Sequence, residues 1–198
     1  KPLMRENVFG NLASCLGTPV LNVNQVGAQD ELIFDGHSFL MGGDGKVVYR
    51  SPGFEEEIQT IELKEKYSLN DLPSDEECLV NALVVGIRDY VKKSGFSKVV
   101  IGLSGGIDSA LVACLAQEAL GSESVLGVTM PSEFSSQGSV SDSLELATNL
   151  GIQCERLDIQ PALEALREVI GALLKGPVQG LTDENLQAKI GRASCRER

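Results

Sequence analysis

Residues 103–109 read Leu103-Ser104-Gly105-Gly106-Ile107-Asp108-Ser109, directly after the apolar run Val99-Val100-Ile101. The pattern predicts a buried strand, Lys98–Leu103, feeding a glycine turn, then a helix, Ser109–Leu120, stopped by Gly121. Such a turn is a phosphate cradle. Glycines let the backbone approach an anion, and a helix N-terminus supplies free N–H donors and a positive dipole end. Ser104 and Ser109 add hydroxyls, and Asp108 is the candidate ligand for a divalent cation beside the phosphates. A Walker A loop has longer spacing and a Lys that reaches the terminal phosphates. No Lys stands in this turn, which suits a site that grips pyrophosphate as a leaving group. A plain strand–helix joint requires neither the serines nor the Asp.

Outward from the turn, strands and helices alternate. A helix is expected over Glu76–Ser94, with Leu79, Leu83, Ile87, Tyr90 and Val91 on one face. Strand Ser124–Met130, a loop from Pro131 to Ser139 and helix Ser141–Leu150 follow the turn. Strand Cys154–Ile159 and helix Pro161–Leu174 come next. This order predicts βαβ units in a parallel sheet, with ligands beyond the carboxyl ends of the strands. Met130 ends one of those strands and offers a soft apolar surface for a base. Ser135 and Ser136 stand ready for ribose or phosphate.

Residues 19–58 differ in character. They read as strand, turn (Gln25–Asp30), a strand pair over Glu31–Leu40 broken at Gly36, turn, strand. That is the end of a larger β-rich layer, too small for a core of its own.

The string Ser104–Ser109 resembles the PP-loop of the ATP pyrophosphatase family, whose members transfer AMP from ATP to an oxygen and then let nitrogen or sulfur displace it. The motif by itself leaves NAD, GMP, asparagine and argininosuccinate synthetases and tRNA-thiolating enzymes open. The flanks narrow the choice. Val23-Asn24-Gln25-Val26-Gly27 and Asp30–Gly36 look like the last strands of a nitrilase-type glutaminase. Gly86–Val91, Gly127–Ser132 and Glu184–Ala188 continue the resemblance to bacterial glutamine-dependent NAD synthetases. The fold class this implies is α/β. A parallel-sheet, Rossmann-like PP-loop domain is preceded by the last strands of a nitrilase-type α/β sandwich. The expected domains are 1–58 (end of the glutaminase), 59–75 (linker) and 76–189 (first part of the synthetase).

The resemblance implies ATP-dependent amidation of deamido-NAD with glutamine-derived ammonia, with ATP and Mg²⁺ as cofactors and a homo-oligomeric parent. It assigns Gly102, Leu103, Ser104, Gly105, Gly106, Ile107, Asp108, Ser109 and Met130 to ATP and pyrophosphate, and Asp108 to the metal. It assigns Asn185 and Lys189 to deamido-NAD and Lys1 to glutamine. No residue supplies the glutaminase triad, so the chain is expected to be an inactive fragment. The alternatives are another PP-loop amidotransferase or a non-catalytic nucleotide-binding module. Cys15 reads as a small buried hydrophobe. His37, where relatives commonly carry Gly, reads as a hydrogen-bonded structural residue.

A net charge of −11 argues against a nucleic-acid partner. The five cysteines show no metal-ligand spacing and suit a reducing, cytoplasmic compartment. Apolar runs fall far short of a membrane span. Ile190–Arg198 resembles an in-frame translation of a sequencing adapter and is set aside from fold reasoning; a basic binding tail is the competing reading. An independent long read of the locus should replace Ile190–Arg198 with a continuation of the Arg-x-Arg-Gly kind after Ala188. Recovery of the same nine residues would show them to be genuine.

Overall fold

A computed structural model describes residues 2–63, 67–131 and 137–174. Lys1, Ser135, Ser136, Asn185, Lys189 and the segment 190–198 lie outside the described residues. The chain forms two compact units, residues 1–93 and 94–198.

The first unit opens with helix α1 (Pro2–Leu16) and strands β1 (Val20–Asn22), β2 (Val26–Gln29), β3 (Leu32–Asp35), β4 (Phe39–Met41) and β5 (Val47–Arg50). Strands β1, β4 and β5 form one antiparallel sheet, in the order β1-β4-β5. Strands β2 and β3 form a separate hairpin, with Val26 opposite Asp35 and Gln29 opposite Leu32. The expected turn at Gln25–Asp30 is therefore mostly strand. Gly27 and Ala28 have poor strand propensity, and helix α2 (Asp75–Lys93) overrides it. The Asp89 carboxylate accepts the Ala28 N–H at 2.8 Å, and a Cβ on Gly27 would lie 2.9 Å from that carboxylate. Burial pushes the Asp89 carboxyl up, but the Ala28 N–H, Lys93 and Arg88 outweigh it and hold it below its ordinary value.

Helix α2 begins with a reciprocal capping box. Ser74 Oγ accepts the Glu77 N–H at 3.1 Å, and Glu77 accepts the Ser74 N–H at 2.7 Å. Its packing differs from the expected face. Val85 and Ala82 pack with Ala28 and Phe54, and Gly86 sits under Ile33. Leu79, Leu83 and Tyr90 are exposed. Small residues win this face because the hairpin backbone must come close enough to reach Asp89.

Helix α1 buries Glu6, Gly10 and Ala13, one face at helical spacing. Cys15 lies off that face and is exposed, contrary to the sequence expectation. Phe9, Phe39, Met41, Val20 and Val47 close the core beside Ala13. Across this unit Glu6 meets Arg50 as a fork, Nε–Oε1 2.6 Å and Nη2–Oε2 2.8 Å, with both side chains mostly buried.

His37 is 3 % exposed and sits at φ +46°. That left-handed backbone explains why glycine suits the position. Its ring stands edge-on to Phe54 at 5.8 Å, and Nε2 would lie 2.1 Å from a Cβ on Gly53. Neither ring nitrogen has a hydrogen-bond partner among the described residues, so the expected hydrogen-bonded role is corrected to one of packing alone. Burial pushes the imidazole pKa below its ordinary value. Arg5 and Arg50 add to the depression, and Asp35 and Glu6 oppose it.

The second unit holds a parallel sheet, β6 (Val99–Leu103), β7 (Val125–Thr129) and β8 (Gln153–Arg156), in the order β6-β7-β8. Helices α3 (Ile107–Leu120) and α4 (Gln137–Leu150) pack on the sheet and on each other, and α5 (Gln160–Leu174) follows β8. Leu103, Ala113, Ala116, Val125, Ala147 and Ile152 form the core. Register aligns the carboxyl ends of the strands, with Leu103 opposite Thr129 and Thr129 opposite Arg156. Helix α4 starts four residues before the expected Ser141, so Ser139 belongs to a helix and not to a loop.

Glu6→Ala leaves the largely buried Arg50 guanidinium without its carboxylate, with the Asn70 carbonyl as its remaining acceptor among the described residues. The unfolding transition of the first unit should lose about 3 kcal/mol, and the Glu6→Leu/Arg50→Met pair should recover most of it. A loss below about 1 kcal/mol in urea titrations would reduce the pair to a surface contact. His37 gives a second expectation. The fold keeps the ring neutral, so its contribution is intact above about pH 6.5 and is lost as pH falls through the depressed folded value. His37 is the only histidine. The fall in melting temperature between pH 7 and 5 should therefore flatten in His37→Gly. An unchanged slope would clear the residue of this role.

Candidate functional site

The turn from β6 to α3 is built from the residues that the sequence singles out. Gly105 takes φ +75°, which most side chains avoid. A Cβ there would also lie 2.5 Å from the Ser139 carbonyl oxygen and 2.6 Å from Ser139 Cα. Glycine is thus required twice, by conformation and by the close approach of α4. Gly106 follows in extended backbone, φ −93° and ψ 158°, as the N-cap of α3.

The helix begins at Ile107, two residues before the expected Ser109. Its first internal bond runs from the Ala110 N–H to the Gly106 carbonyl at 3.1 Å. The N–H groups of Ile107, Asp108 and Ser109 precede that bond, and among the described residues no side chain caps the helix. Most helices end in a Ser, Thr, Asp or Asn that satisfies such donors. Here they are left for something else, at the positive end of the helix dipole.

The hydroxyls behave differently from the free N–H groups. Ser109 Oγ accepts the Ser104 N–H at 3.2 Å and donates to the Gly106 carbonyl at 2.9 Å. It also meets Ser104 Oγ at 3.1 Å. Ser104 Oγ in turn accepts the Gly106 N–H at 3.3 Å. With the Ser109 proton on Gly106, Ser104 is the donor in the hydroxyl pair, and Ser109 has no capacity left. These two serines zip the turn shut from inside, and the backbone donors lie at the head of α3.

Ser104, Gly105, Gly106, Ile107 and Asp108 are exposed, and Ser109 is half-buried. Gly102 lies within β6 opposite Val128, and Leu103 is buried at the strand end. Met130 follows Thr129 on the neighbouring strand, at the same edge of the sheet as the turn. Asp108 stands in the first turn of α3, and the described residues hold no cluster of three His, Cys, Asp or Glu groups. A lone accessible carboxylate does not fit an all-protein cation cage. It fits Mg²⁺, which takes one or two carboxylates and completes its shell with water and phosphate oxygens.

Ser139 is a neighbour of the site that the sequence does not reveal. Its serine is one of several in residues 135–143, and only the packing of α4 selects it. A separate cleft of about 740 Å³ opens in the first unit, where Glu55, Glu56 and Glu57 lie along it with Tyr49. Burial and the bond to Glu57 push the Tyr49 phenol up to about 12. An acidic rim disfavours phosphate, so the β6–α3 turn is the candidate site. No described helix is long and apolar enough to cross a membrane.

Residues 79–196 match the family model for NAD synthase. The chain is 44 % identical to the glutamine-dependent NAD(+) synthetase of Synechocystis over 198 residues, covering 96 % of this chain and 35 % of that protein. It is 38 % identical to that of Thermotoga maritima, covering 96 % and 40 %. The solved glutamine-dependent NAD+ synthetase of Acinetobacter baumannii, in complex with ADP, superposes with a TM-score of 0.82 at 33 % identity. That match covers 98 % of this chain and 38 % of the other. The chain spans little more than a third of the length of such relatives. With more than half its residues matched by the model, it belongs to the NAD synthase family.

Proposed function

We propose that the chain is the part of a glutamine-dependent NAD synthetase that grips the phosphates of ATP, and that the whole enzyme amidates deamido-NAD. The observation that carries this reading is the uncapped head of α3 behind Gly105, at the carboxyl edge of a parallel sheet. Family membership supplies the reaction. The nicotinate carboxylate attacks the α-phosphorus of ATP, and the bond to pyrophosphate breaks. Ammonia released from glutamine then attacks the acyl-adenylate carbonyl, and AMP leaves.

The chain's own contribution is electrostatic preorganisation. The N–H groups of Ile107, Asp108 and Ser109 meet the departing pyrophosphate. Gly102, Leu103, Gly105 and Gly106 set the backbone that aims them. Ser104 and Ser109 hold that backbone, and Ser104 has an acceptor site left for the ligand shell. Met130 lies where the adenine would rest. Mg²⁺, when held by Asp108 and phosphate oxygens, supplies positive charge opposite the leaving group. The assignments of Asn185 and Lys189 to deamido-NAD, and of Lys1 to glutamine, rest on the resemblance alone. We further assign the parent enzyme to the cytoplasm, as a homo-oligomer without a nucleic-acid partner.

In the full-length enzyme, Asp108→Ala should lower NAD formation from free ammonia by about a hundredfold or more, an effect of the size seen when transition-state charge loses its partner. Glutamine hydrolysis should be largely retained. A near-wild-type synthetase rate would remove Asp108 from the mechanism.

A further inference from the structure

The first turn of α4 is a wall against the PP-loop. The contact is backbone on backbone, since a Cβ at Gly105 would lie within 3 Å of the Ser139 Cα, C and O atoms. A rotamer change cannot relieve such a contact. The wall has its own brace. Ser143 Oγ donates to the Ser139 carbonyl at 2.8 Å, and Ser143 is 1 % exposed, among the most completely buried side chains described. A hydroxyl that bonds back to the carbonyl four residues earlier bends a helix locally. Here the carbonyl so engaged is the one pressed on Gly105. Ser141 Oγ donates to the Gly138 carbonyl, three residues earlier, at 2.9 Å, but Gly138 is not among the atoms nearest the loop glycine.

We infer that Ser143 is a positioning residue for the PP-loop, acting through the Ser139 carbonyl to keep Gly105 at positive φ. The chain of contact is short: Ser143 Oγ, Ser139 O, Gly105 and the donors of α3. The Ser104 and Gly106 N–H bonds inside the loop depend on the same conformation. When the brace is removed, the Ser139 carbonyl loses its anchor, the wall shifts, and the loop samples more than one conformation. The relevance to phosphate binding rests on the functional reading above. The mechanical claim does not.

Hydrogen–deuterium exchange on this chain, read by mass spectrometry without ligand, separates the two. In Ser143→Ala, peptides spanning 104–110 should exchange about threefold to tenfold faster, with the melting temperature within about 2 °C of wild type. Ser143→Thr keeps the donor and should restore slow exchange. Ser141→Ala should leave the loop unchanged. In the full-length enzyme, Ser143→Ala should lower kcat/KM for ATP several-fold with a fall in kcat as well as a rise in KM, because the donors of the loop meet the departing pyrophosphate. Unchanged loop exchange in Ser143→Ala would overturn the inference, as would acceleration spread evenly over the unit. A wild-type enzyme that forms no NAD would instead sink the functional reading and leave the exchange result standing.

Discussion

A Cβ at Gly105 would collide with the backbone of Ser139, and the residue's φ of +75° is closed to most side chains in any case. The geometry of the site follows from that pair of facts. With the chain turned at Gly105, Gly106 enters α3 in extended backbone and the helix starts immediately. The first-turn donors then lie at the head of α3. The parallel register does the rest, because Leu103 opposite Thr129 brings the end of β7 level with the turn. One left-handed residue thereby fixes where the head of α3 lies relative to the end of β7.

The division of labour between serines and backbone follows from hydrogen-bond capacity. A hydroxyl has one proton and two lone pairs. Ser109 spends all three inside the turn, on Ser104 and Gly106. On the proposed function, what remains for an anion is the set of N–H groups at the head of α3, which need no reorganisation when charge builds on a leaving group.

The β6–turn–α3 segment was legible in the sequence because its signals are local: an apolar run, adjacent glycines and a helix with a glycine stop. Helix α3 starts two residues before the expected Ser109, at Ile107, because Gly106 enters it directly from extended backbone. Non-local facts were harder. Val26–Gln29 looks like a turn until Asp89, 61 residues away, holds Ala28 in a hairpin. The burial of Val85 over Leu79 depends on the same anchor. Ser139 carries no mark that distinguishes it from its serine neighbours. His37 was legible as unusual, but its lack of hydrogen bonds depends on how Gly53 and Phe54 enclose it.

Helices α2 and α3 begin in opposite ways. The first is closed by Ser74 and Glu77, and the second is left open at Gly106. With glycine at the cap, an open end forgoes roughly a few tenths of a kcal/mol that a capping side chain supplies elsewhere. Selection for thermal stability alone would therefore favour Asp or Ser at position 106, and each such gain would fill the space and the donors that an anion needs. The most robust variants of this chain, chosen by melting temperature, are the ones that engineering should screen first for loss of nucleotide affinity.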